Sequence, residues 1–128
     1  SSMAMIYLER PVDYHIMSYD NEVLDEALRL IAEDKYDAIT VYNQEYDDMI
    51  HRTTPESTVA ISAIRHHVEA FVKLVEAVKK NWKCHDTLIV FAPDQGNHYD
   101  WDGHGSHGEF REEDVNINHY YRIIKREA

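Results

Sequence analysis

A short apolar run, Thr87-Leu88-Ile89-Val90-Phe91-Ala92, hands the chain directly to a loop rich in glycine, aspartate and histidine, from Asp94 to Gly108. The run has the length and β-branched content of a buried strand. In open α/β sheets ligands gather beyond the carboxyl ends of the strands. Carboxylates and imidazoles on a pliable loop there are suited to holding a divalent cation. An earlier stretch repeats the pattern: Ala38-Ile39-Thr40-Val41-Tyr42 is short and apolar on both faces, and a loop with Asp47, Asp48 and His51 follows it. Apolarity on both faces predicts a central parallel strand.

Before and between these runs the chain reads as helix. Leu24, Ala27, Leu28 and Ile31 recur at helical spacing, with Asp20 or Asn21 as the cap, and predict a helix from about 21 to 33. Thr54-Pro55 marks a second helix start, because proline suits the first helical position. That helix runs to about Asn81, with Ile64, Val68, Phe71, Val75, Val78 and Trp82 as its core-facing stripe. His66 and His67 flank the stripe in solvent or structural roles. Two apolar pieces near the start, Met5–Leu8 and Tyr14–Met17, are candidate edge strands, interrupted by Arg10-Pro11. Glu112-Glu113-Asp114 reads as a charged turn and 117–124 as a final strand. Strands alternating with helices predict one α/β domain over 1–128: a mostly parallel sheet with helices on both faces.

Composition narrows the partners. Asp and Glu number 24 against 13 Lys and Arg, a net charge of −11, which repels phosphate backbones and argues against a nucleic-acid polymer as ligand. No apolar run approaches the ~20 residues that span a bilayer, so no membrane partner is expected. The single cysteine, Cys84, and the lack of a secretory pattern point to a reducing, cytoplasmic setting. Ser1-Ser2 ahead of Met3 resembles the remnant of an expression tag.

Taken singly, the polar groups have ordinary readings. Asp47 and Asp48 fit loop carboxylates, and His104 and His107 fit surface imidazoles beside Gly103, Gly105 and Gly108. His104-x-x-His107 lacks the glutamate and helix of a metalloprotease motif, and Ser106 sits on no nucleophile elbow. Their joint occurrence favours convergence of Asp47, His51, Asp94 and His107 in space.

The order of these motifs resembles the alkaline phosphatase superfamily, which includes nucleotide pyrophosphatase/phosphodiesterases, cofactor-independent phosphoglycerate mutases and sulfatases. The matching residues are Asp47-x-x-x-His51 after an apolar run, the long helix, then Pro93-Asp94-Gln95-Gly96 after a second run, over about 36–124. The resemblance implies an alkaline-phosphatase-like core, whole or truncated, and a site for one or two metals. Asp47, His51 and His107, with His104 as the substitute, would hold one ion; Asp94 and Gln95 would hold the second. Zinc is the implied ion. Gln95 stands where the family has histidine, and an amide oxygen suits Mg²⁺ or Mn²⁺ better than zinc; His98 is an alternative donor. The implied function is the metal-binding domain of a phosphomonoester or phosphodiester hydrolase, with a small phosphoester or nucleotide as ligand. The family's serine or threonine nucleophile lies upstream, and nothing before residue 36 matches it. The chain is therefore read as part of a longer enzyme or as a reduced descendant, weakly active or inactive alone. The alternative is a non-catalytic metal-holding or interaction module. Self-association is expected if a truncated sheet exposes an edge.

Overall fold

The structure, a computed structural model, describes residues 12–128. Its elements in chain order are α1 (Asp20–Glu33), α2 (Glu45–Arg52), α3 (Thr58–Asn81), β1 (Thr87–Phe91), β2 (His98–Tyr99), β3 (Gly105–Ser106), α4 (Glu112–Val115) and β4 (Tyr120–Ile124). The strands form two separate two-stranded sheets, β1–β4 and β2–β3, both antiparallel.

This overturns the expected parallel sheet with helices on both faces, and with it the alkaline-phosphatase-like core. A parallel pair needs a crossover, usually a helix of ten residues or so, whereas only β2, β3 and the short α4 lie between β1 and β4. The chain therefore returns alongside β1 in the opposite direction, pairing Thr87 with Ile124 and Phe91 with Tyr120. Residues 38–42 form no strand. Ile39 and Val41 pack on the core from an unpaired connection, while Ala38, Thr40 and Tyr42 are exposed. The apolar composition of that run reflects this one-sided packing; no neighbouring strand exchanges hydrogen bonds with it. Tyr14–Met17 also forms no strand, and Met5–Leu8 lies outside the described residues.

The core joins Ala27 and Ile31 of α1 to Leu74 and Val78 of α3, with Leu24, Leu28, Trp82, Ile89 and Ile124 packed around them. Phe71 meets Phe91 edge-on, ring centres 5.3 Å apart, so one face of β1–β4 rests on α3. The buried side of α3 runs through Ala60, Ala63, Leu74 and Val78. It is rotated from the predicted stripe: Ile64 and Val68 are exposed. The helix also starts later than Pro55, at a cap where the Ser57 hydroxyl accepts the Ala60 N–H at 3.1 Å. Pro55 is buried in the turn before it. The indole N–H of Trp82 donates to the Ile31 carbonyl at 2.9 Å, joining the Asp34 amide on that acceptor at the end of α1.

The expected cap of α1 changes. Ser18 and Tyr19 amides donate to the Glu22 carboxylate at the start of α1. Asp20 does not cap that helix. Its carboxylate reaches the start of α2, accepting the amides of Gln44 and Glu45 at 3.0 and 2.9 Å. The predicted turn at 112–114 is α4, and the last strand is limited to Tyr120–Ile124. No helix among the described residues is long and apolar enough to cross a membrane.

Candidate metal centre

Asp47 and His51 lie on a helix, where the sequence pattern placed a loop. The first turn of α2 carries Glu45, Asp47 and Asp48, and the last carries His51 and Arg52, both arrangements favourable to the helix dipole. The four-residue spacing then puts Asp47 and His51 on one face, with Asp47 Oδ1 3.4 Å from His51 Nε2.

β3 brings the third group. Gly105 crosses α2 so closely that a Cβ there would lie 2.7 Å from Ile50 Cβ and 2.9 Å from the Ile50 carbonyl oxygen. Only a residue without a side chain permits that approach. The Gly105 carbonyl consequently accepts the Nδ1–H of His51 at 3.1 Å, leaving Nε2 as the free donor atom. Two residues on, His107 places its Nε2 3.1 Å from His51 Nε2 and 2.6 Å from Asp47 Oδ1.

Three donor atoms thus form a triangle with edges of 2.6, 3.1 and 3.4 Å. A tetrahedral zinc with bonds of about 2.0–2.2 Å sets its donors about 3.3–3.6 Å apart. The 3.1 and 3.4 Å edges are within a few tenths of an ångström of that spacing, and the 2.6 Å edge between His107 and Asp47 must open by about 0.7–1.0 Å to admit such an ion. The donor set, two imidazoles and one carboxylate, suits zinc and leaves a position free. His51 is exposed, and Asp47 and His107 are half-buried, so that position faces solvent. The residues present fit the metal.

The remaining expected ligands are elsewhere. His104 closes on its own turn: Asp102 accepts its amide at 3.0 Å and its Nδ1 at 3.2 Å. His107, and not His104, joins the triangle. Asp94 is exposed just after β1 and lines a shallow concavity together with Gln95 and Gly108. Neither enters the triangle. Asp94 still acts on the same neighbourhood: burial pushes the Tyr42 phenol up, and the charges of Asp94, Asp47, Asp20 and Asp48 push it further.

Two groupings escaped the sequence reading. Asp20, Glu45 and His67 gather three potential ligand atoms. Burial raises the Asp20 carboxyl, but the His67 hydrogen bond at 3.0 Å and the Gln44 and Glu45 amides more than reverse this, holding it below the ordinary 3.8. With its oxygens occupied in this way, Asp20 is the ionic cap of α2. The signal was an aspartate at the head of one helix beside a histidine pair on another, too common a pattern to single out.

The second grouping pairs His98 with Asp114. Their side chains are 4% and 1% exposed, with Nδ1 2.8 Å from Asp114 Oδ1. His98 therefore serves no metal with Asp94. The loop reaches this pair because Gly96 crosses α4, its amide donating to the Asp114 carbonyl at 2.8 Å. A Cβ on Gly96 would lie 1.8 Å from the Glu113 carbonyl oxygen.

Comparison with protein-family models, curated proteins and solved structures finds no match to this chain. The resemblance to the alkaline phosphatase superfamily rests on its motifs alone.

Proposed function

We propose that the chain holds one divalent transition metal, zinc by preference, at Asp47, His51 and His107, and presents its open position to an oxygen of a small phosphoester or nucleotide. The observation that carries this reading is the donor triangle, with His51 aimed by the Gly105 carbonyl. Orientation of a ligating imidazole through its other nitrogen is the usual partner of metal binding. A bound zinc would polarise a phosphoryl oxygen. The chain's own contribution is to fix the donors on a helix and a strand and to leave the solvent side open.

The function is then that of a metal-binding domain of a phosphoester hydrolase, in a cytoplasmic setting. A specific observation favours the second reading, a non-catalytic metal-holding module: Asp94 and Gln95 stay outside the triangle, which supports one ion and not two. Turnover of p-nitrophenyl phosphate by the chain alone is expected to be weak or nil.

Elemental analysis after dialysis against zinc tests the metal. One zinc per chain, removed by chelator and lost in His51→Ala and His107→Ala, is expected. No retained zinc, or retention unaffected by both substitutions, overturns the reading. Cobalt in place of zinc separates the two versions: inorganic phosphate perturbs the visible bands if the open position takes a phosphoester oxygen, and leaves them unchanged if it does not.

A further inference from the structure

We propose that Asp114 is a positioning residue of the metal centre: it clamps both legs of the β2–β3 hairpin and so fixes where the ribbon presents His107 and the Gly105 carbonyl. This role rests on the metal reading above and adds to it a residue that touches none of the donors.

The hairpin needs such a clamp. Its ladder consists of His98 opposite Ser106 and Tyr99 opposite Gly105, and a two-stranded ribbon so short does not hold its shape unaided. Its far end is closed by its own turn, where the Asp100 amide donates to the His104 carbonyl at 2.8 Å and the Gly103 amide to the Asp100 carbonyl at 3.0 Å. The near end is closed by Asp114. One carboxylate oxygen stands 2.8 Å from His98 Nδ1 in the first leg, and the other accepts the Glu109 amide at 2.8 Å in the second. The main-chain carbonyl of the same residue accepts the Gly96 amide, also at 2.8 Å. One residue of α4 thus holds the chain before β2, within β2 and after β3. Burial pushes the Asp114 carboxyl up, but the hydrogen bonds from His98 and the Glu109 amide, with the charges of His98 and Arg111, hold it below the ordinary 3.8. It is a carboxylate at neutral pH and accepts, so Nδ1 of His98 carries a proton whether the imidazole is neutral or charged.

The ribbon carries this restraint to the metal side. Residues opposite one another in an antiparallel pair project to the same face, and neighbours along a strand project to opposite faces. His98 and Ser106 therefore share the face held by Asp114. Gly105 and His107 share the other, where the Gly105 carbonyl accepts from His51 and His107 Nε2 meets Asp47. With His98 pinned on one leg and Glu109, two residues past His107, pinned on the other, the metal face has little freedom to shift.

An asparagine side chain has one acceptor oxygen in place of two, so Asp114→Asn can serve His98 or the Glu109 amide but not both. In that variant of the full chain, with its far-ultraviolet circular dichroism as in the parent, zinc affinity should fall about tenfold, the lower end for groups that orient a ligand. In the metal-free chain at about pH 8, where an exposed imidazole is neutral, the nitrogen-15 signature of a proton on His51 Nδ1 should be lost. Leu74→Ala, which opens the core between α1 and α3, should lower stability and move neither readout. Should Asp114→Asn not fold, the parent chain suffices: coupling is reciprocal, so zinc should slow exchange of the Gly96 and Glu109 amides about tenfold. Parental affinity or a parental His51 signature in Asp114→Asn overturns the role of Asp114. So does an equal loss of affinity in Leu74→Ala, or exchange of the two amides that zinc leaves unchanged. A parent that binds no zinc overturns the metal reading instead, and the His51 signature then decides the clamp by itself.

Discussion

Two histidine–aspartate pairs flank the short β2–β3 ribbon, and they differ in one respect. His107 and Asp47 meet at 2.6 Å with both side chains partly exposed, 24% and 38%. His98 and Asp114 meet at 2.8 Å with almost nothing exposed. The partners and spacing are nearly the same, yet one pair is open to an ion from solvent and the other is committed to the interior. Burial, and not residue type, divides a candidate metal ligand from a structural hydrogen bond. A partly exposed pair adds little to stability, because water screens it. A buried pair is costly to break, because the survivor is left without a partner.

The comparison is most easily broken at Asp114. Asp114→Ala leaves His98 buried and alone, and a loss of roughly 3–5 kcal/mol is expected. Urea unfolding measures it as a lower midpoint at unchanged slope. A loss below about 1 kcal/mol would place the pair with exposed ones and remove the contrast.

Next in size is Gly105→Ala. The added methyl meets the Ile50 side chain and carbonyl, at 2.7 and 2.9 Å, so β3 must move off α2. A cost of about 1–3 kcal/mol is expected from overpacking. Zinc affinity should fall about 10–100-fold as His51 loses its orienting carbonyl. Unchanged affinity, measured by competition with a chromophoric chelator, would separate the metal centre from this crossing.

A smaller effect is expected at the cap of α2. Asp20 and Asp114 both sit below their ordinary 3.8 when folded. The unfolded chain therefore binds more protons across that interval, and stability rises with pH there. The contribution is complete above the ordinary value and is lost as pH falls through the depressed folded values. Asp20→Asn should cost about 0.5–2 kcal/mol at neutral pH, as other lost caps do. It should also flatten the acid limb of the stability curve. An acid limb identical to that of the parent would show that the His67 and amide contacts do not hold Asp20 ionised.

The smallest effect is expected at His104, which turns back to Asp102. His104→Ala should change zinc affinity by less than about twofold, well short of the tenfold minimum for a group that orients a ligand. A larger change would bring His104 into the centre in place of His107.

Much of the local structure was legible. α1, the body of α3 and β1 follow from apolar spacing, since a helix or strand that buries one face must show that period in sequence. Asp47 and His51 were paired by their four-residue separation, although the carrier is a helix and not a loop. His107 was picked ahead of His104, and it is the His107 side chain that lies beside Asp47 and His51. The failures have another character. Residues 38–42 look like a central strand because Ile39 and Val41 are apolar, yet those side chains pack on the core from a connection that pairs with nothing. The first half of α3 turns Ala60 and Ala63 inward and Ile64 out, a rotation that periodicity alone does not resolve.

By itself, the order of residues determined α1 and α3, the apolar runs and the supply of acids and imidazoles near one another in the chain. These depend on neighbours a few positions apart, which any reading of the chain can count. The tertiary structure alone decided that the sheets are antiparallel, that Asp20 caps a helix other than its own, and that His107 and His98 have opposite fates. Each of these is settled by close approach between segments far apart in sequence: Gly105 against Ile50, Gly96 against Glu113. Close approach is governed by excluded volume and burial in three dimensions, and neither has a period along the chain.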